Sequence, residues 1–218
     1  MNEAFNVRDL GRLDYKEAWD VQRQTHREVA DGAAPVLLLV EHPPVITFGK
    51  KGGRSNLVAD EARLEHEGFS LYDIERGGDV TYHGPGQLVG YPIFRVGRRV
   101  RDYLRRLEQV HTNVLAEYGI SGEGSPGYAG VWVGDEKVVA IGVAIKRHVS
   151  FHGFAMNVHT NLDHFSYIVP CGIADKGVTS LSRLVGRHVP LDEVKPKVVR
   201  AFRDVFNPEY SLQEEVST

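Results

Sequence analysis

Cysteine is almost missing from this 218-residue chain, which holds one, Cys171. A single thiol excludes an intramolecular disulfide and fits a reducing compartment. Long apolar runs are missing as well. No stretch approaches the roughly eighteen residues that a membrane-crossing helix needs. The opening MNEAFNVRDLGRLDYKEAWD has no basic segment feeding an apolar one, so neither a membrane partner nor a secretory signal is expected, and the cytoplasm is the expected location. Charge of one sign is not in excess either. A net charge of -3 gives no global field that would draw in nucleic acid, so any charged partner must be met locally.

Several signatures are also lacking. There is no Walker pattern, and no Gly-x-Gly-x-x-Gly opens a helix; the basic run GKKGGRS at 49–55 is only superficially similar to a phosphate cradle. His66-Glu67 starts like a zincin motif, but Ser70 stands where its second histidine belongs, so no metal is expected. The Gly-x-Ser-x-Gly elbow of serine hydrolases is missing. Cys171 is left as the best nucleophile, although a lone cysteine also serves as a buried apolar filler.

What is present reads as one mixed domain. The chain is 42% hydrophobic and 25% charged, enough for a sizeable core, with no linker-like segment or internal repeat, so residues 1–218 are expected to form a single domain. Asp14 and Glu17 suggest a capped surface helix over 14–30. PVLLLVEH and PVITFGK read as two strands joined across Pro43-Pro44, and residues 60–67 as a short helix. SLYDIERG and GQLVGYPIF are further strands. Val100, Leu104, Leu107, His111 and Val114 trace one face of a long helix, and Arg98, Arg101 and Arg105 lie along a neighbouring edge. VWV, the turn GDEK and VVAIGVAI form a hairpin leading into FHGFAMNVHT, and LDEVKPKVVRAFRDVF is the last helix. Helices that alternate with strands, some paired as hairpins, predict an α+β fold with a two-layer mixed sheet and flanking helices.

The densest chemical signal is RGGDVTYHGPGQLVGYP, 76–92. Its glycines either shape an elaborate turn or let main chain approach a ligand, with Arg76 and His83 offering directed hydrogen bonds. Lys137 opens an apolar strand and is a candidate partner for a thiol, which a nearby cation activates. Gly142 sits within that strand, where glycine marks close approach of a ligand or of another backbone.

Together with EKVVAIGVAI, SFHGFAMNV and PCGIADKGVTSL, this loop resembles the lipoyl(octanoyl) transferases, and the match runs in order from EHPPVITFGK to VTSLSRL. The resemblance implies a fold like that of the biotin and lipoate protein ligases. It implies transfer of an octanoyl or lipoyl group from acyl carrier protein to a lysine of lipoyl domains, those of the 2-oxoacid dehydrogenase complexes and the glycine cleavage H protein, with no cofactor. Cys171 then matches the acyl-thioester nucleophile and Lys137 the lysine that lowers its pKa. Arg76, Gly77, Gly78, Asp79, Val80, Thr81, Tyr82 and His83 match one substrate-binding segment; Ala140, Ile141 and Gly142 a second; Gly153, Phe154 and Ala155 a third. Glu136 stands where the resemblance leads one to expect a basic residue. The rivals are an ATP-dependent ligase on the same fold and a catalytically silent lipoyl-domain binder.

Overall fold

The computed structural model describes residues 5–50, 53–125, 128–169 and 177–206. The elements that build the large sheet are β1 (Asn6–Arg12), β2 (Val36–Glu41), β6 (Gln87–Ile93), β7 (Glu123–Ser125), β8 (Tyr128–Val133), β9 (Glu136–Lys146), β10 (Val149–Asn157) and β11 (Gly177–Val178). Their order is β1-β2-β6-β10-β9-β8-β7, with β11 parallel to β9; β1 and β2 are parallel, and the other pairs along the path are antiparallel. A smaller sheet has the order β4-β3-β5, from β3 (Val45–Phe48), β4 (Ser70–Asp73) and β5 (Thr81–His83). Helices α1 (Tyr15–Ala30), α2 (Glu61–His66), α3 (Val100–Ala116), α4 (Leu181–Val185) and α5 (Leu191–Val205) flank the sheets. The α+β reading with mixed sheets holds.

The continuous apolar run in β2 is explained by cover on both faces. Leu37 and Leu39 join a core with Leu107 and Val110 of α3 and Val198 and Phe202 of α5, whereas Leu38 and Val40 join Ala18 and Val29 of α1 on the other side. Asp14 caps α1 by accepting from Lys16 N at 2.8 Å. Pro43-Pro44 lies between strands of different sheets, so β2 and β3 follow each other in sequence without pairing. Beneath the small sheet, Ile46, Phe48 and Tyr82 pack with Leu64, Phe69 and Phe165.

Two expectations need adjusting. Residues 6–12 form a strand where none was expected, because NVRDLGR is an edge segment whose side chains are mostly exposed. Val100 and Leu104 do not share the burial of Leu107, His111 and Val114. Tyr103 and Val110 complete the buried face of α3 instead, and the first turn leans towards a cavity. Among the described residues, no helix is long and apolar enough to cross a membrane.

Candidate active site

A cavity of about 520 Å³ lies between the 76–83 loop and strands β6, β9 and β10. The loop reaches the large sheet through its backbone: Gly77 N donates to Val143 O at 2.9 Å. Gly142 is glycine for a matching reason. A Cβ there would stand 3.0 Å from Gly77 O, so the close approach is by another backbone rather than by a ligand alone. Gly49 supports the loop from behind, where a Cβ would meet Gly78 O at 2.5 Å and Arg76 Nη1 at 2.8 Å. That gives part of the GKKGGRS run a structural task. Asn56 ties the loop to its surroundings, donating from Nδ2 to Asp79 Oδ2 at 2.6 Å while its carbonyl accepts from Val169 N at 2.8 Å.

Nearly all of the site residues inferred from sequence line this cavity: Arg76 to Thr81, His83, Lys137, Ala140 to Gly142, and Gly153 to Ala155. Tyr82 does not. It alternates with Thr81 and His83 along β5 and so points into the small-sheet core, where its hydroxyl meets His164 Nδ1 at 2.8 Å. Arg76 lines the cavity but is also a brace. Its Nη2 donates to Thr47 O at 2.8 Å and to Thr47 Oγ1 at 3.1 Å. Cys171, with the rest of 170–176, lies outside the described residues.

The two flanks of that segment are in view. Phe165 and Val178 line the cavity on either side of it in sequence. After it, β11 runs beside β9 with Val178 opposite Lys137, and Thr179 N donates to Lys137 O at 3.0 Å. Lys137 is buried, its Nζ 4.6 Å from the centroid of the Trp132 ring, a cation-π distance.

Residues not assigned to the site from sequence complete the walls. Tyr15, Gln87, Tyr91, His152, Asn157, Val100, Leu104 and Ala129 all contribute. His42, just behind, contacts Leu13 O through Nδ1 at 2.8 Å, which makes Nδ1 the protonated nitrogen, and its Nε2 meets the Tyr91 hydroxyl at 2.7 Å. Burial pushes the His42 imidazole down to about 4, and burial together with the nearby His42 pushes His83 down to about 3. His111, on the buried face of α3, is likewise pushed down to about 4 by burial. His152 has a left-handed backbone (φ 59°), and burial depresses it too, opposed by Glu75, whose carboxylate stands 3.6 Å from Nε2.

These neutral, buried histidines predict an acid-sensitive fold. Their folded pKa values lie below the ordinary 6.5, so between about 6.5 and about 4 the unfolded chain takes up protons that the folded one refuses. Stability should therefore be lost as pH falls through that window, each histidine contributing up to about 1.4 kcal/mol per pH unit. Urea midpoints measured from pH 7 to pH 4.5 should decline steadily; a flat profile would contradict the burial of these rings.

The architecture has relatives. Residues 14–203 match the lipoyl protein ligase A/B catalytic domain. An octanoyltransferase from Caldicellulosiruptor saccharolyticus is 46% identical over 212 residues, covering 94% of this chain and 90% of that protein. The chain belongs to the octanoyltransferase family. It is an enzyme, an acyltransferase. Among solved structures, lipoate-protein ligase A bound with ATP superposes with a TM-score of 0.74 at 18% identity, covering 92% of this chain and 85% of that one. Biotin protein ligase from Aquifex aeolicus gives 0.53 at 13%, covering 92% and 68%. At such identities these likenesses speak for the fold of this octanoyltransferase family member, which is that of the lipoate and biotin ligases.

Proposed function

We propose that this single-domain enzyme transfers an octanoyl or lipoyl group from acyl carrier protein to a lysine of lipoyl domains, with Cys171 carrying the acyl group as a thioester between the two steps. The observation that carries the reading is Lys137, which lines a largely apolar cavity beside the strand that follows the Cys171 segment. A cation there stabilises a thiolate over a thiol. The thiolate attacks the donor thioester, the carrier leaves as its own thiolate, and the neutral acceptor amine then displaces the Cys171 thiolate to form the amide, its surplus proton passing to a departing thiolate or to water. Splitting the transfer in this way replaces one hard step by two easier ones.

The cavity fits an acyl chain. Ala140, Gly142 and Ala155 are small, while Ile141, Phe154, Val89 and Leu104 are apolar. Burying the seven methylene and methyl groups of an octanoyl tail stabilises the complex by roughly 6 kcal/mol at about 0.8 kcal/mol per group. Arg98, Arg101 and Arg105, exposed at the start of α3 beside cavity-lining Val100 and Leu104, offer charge to an acidic donor. The acceptors in this reading are the lipoyl domains of 2-oxoacid dehydrogenases and the glycine cleavage H protein, met in the cytoplasm.

The test separates this chemistry from that of an ATP-dependent ligase. Purified protein, treated with chelator and free of nucleotide, should move octanoyl from carrier to lipoyl domain at its full rate. A strict ATP requirement would instead indicate an acyl-adenylate route.

A further inference from the structure

A chain of hydrogen bonds whose direction cannot be reversed crosses the cavity floor. It begins at Thr179 O, a backbone carbonyl that only accepts, so the Asn157 group 3.0 Å away is the donor Nδ2. Asn157 Oδ1 is then an acceptor, and it takes a hydrogen bond from Gln87 Nε2 at 2.9 Å. The same Nε2 also faces Tyr82 O at 3.2 Å, a second carbonyl that fixes the Gln87 amide independently. Gln87 Oε1 must therefore accept, and its partner at 2.8 Å is His83 Nδ1. The proton of the neutral ring sits on Nδ1, which leaves Nε2 as a bare lone pair on a cavity-lining side chain.

We infer that Gln87 and Asn157 are positioning residues that hold His83 as a fixed hydrogen-bond acceptor for the N–H of the incoming lysine amine. The chemistry of the reactants selects the amine. An acyl carbonyl and a departing thiolate call for donors or a cation, and of the reacting groups in the second step only the amine brings an N–H. Accepting one N–H turns the amine's own lone pair towards the acyl carbon. The relay starts where the reaction is centred, since Thr179 donates its amide to Lys137 O and its carbonyl receives Asn157. Burial keeps His83 neutral down to about 3, so it is a permanent acceptor over the working range and a poor carrier of protons. The groups facing it are His42, Arg76, His152 and the stacked Tyr15 ring, besides Gln87. None of them offers a carboxylate that would charge the imidazole.

This inference rests on the acyl-transfer reading for its substrate but not on the covalent intermediate. Long-range nitrogen-proton NMR of the wild-type protein, with His83 assigned through His83→Gln, should show the Nδ1–H tautomer. In Gln87→Glu the new carboxylate should charge the ring and remove the lone pair. Transfer to lysine should then fall steeply at neutral pH and recover as pH rises, while acylation by the donor keeps its wild-type pH profile. Gln87→Met, which leaves the tautomer unset, should slow lysine transfer about 100-fold, chiefly in kcat, and the donor step far less. An Nε2–H tautomer in the wild type, or equal slowing of both steps in the variants, would overturn the inference. If no acyl-enzyme forms in the wild type, the covalent route fails by itself, and the tautomer and the pH profile of overall transfer still decide the role of His83.

Discussion

Octanoyl thioester incubated with the wild-type protein will leave one octanoyl group on it, and Cys171→Ala will carry none and transfer none. Covalent catalysis needs a nucleophile that can hold the acyl group, and this chain has a single thiol. Because both steps of the proposed route run through it, turnover should drop to background rather than by a graded factor. Intact-mass measurement reads the adduct directly, and trapping it with hydroxylamine should release it. A wild-type protein that transfers octanoyl at its full rate without ever gaining mass would sink the thioester route and leave direct attack of lysine on the donor.

Lys137→Ala will show the second-largest loss, of a different kind. Lys137, on β9, is buried against Trp132 of β8, and its neighbour across the register is Val178, just after the Cys171 segment. In the proposed pairing, removing the Lys137 cation returns the Cys171 thiol towards the ordinary pKa of about 8.5, so most of the thiolate that the pairing supplies near neutrality disappears. The loss should be largest at low pH and shrink as pH rises, since bulk hydroxide then does the ionising. Alkylation of Cys171 across pH measures this: the curve should move to higher pH in Lys137→Ala, with Lys137→Arg, which keeps the charge, moving it less. Superimposable curves for the wild type and the alanine variant would remove Lys137 from the activation of the thiol.

Much of the cavity wall is legible in the sequence. The run from Arg76 to His83 gathers glycines with directed polar groups over a few residues, and such a loop states its chemistry locally. Its one misplaced member, Tyr82, follows from strand alternation: β5 turns every second side chain away from the cavity, and sequence could not say that a strand began there. Val100 and Leu104 carry the same helical spacing as the buried Leu107 and His111. Spacing gives a face, and whether that face meets core or cavity depends on what lies opposite. The pairing that builds the polar wall was invisible for a different reason. Gln87 and Asn157 are seventy positions apart and meet only because β6 and β10 pair in a register that sets them opposite each other.

The inventory is local to the sequence: one thiol, a lysine at the head of an apolar strand, a loop of glycines with Arg76 and His83, and the alternation of elements that makes an α+β fold. These are short-range properties, written in periods of about two and 3.6 residues and in residue chemistry. Which of the described groups face one another depends on the tertiary fold. Gly142 marks a close approach, and only the fold shows that the visitor is Gly77 O. His83 can carry its proton on either nitrogen, and only the chain through Gln87 and Asn157 to Thr179 chooses. A slip of one residue in strand pairing would turn every one of those side chains to the other face, so the site is a property of register, which no local pattern contains.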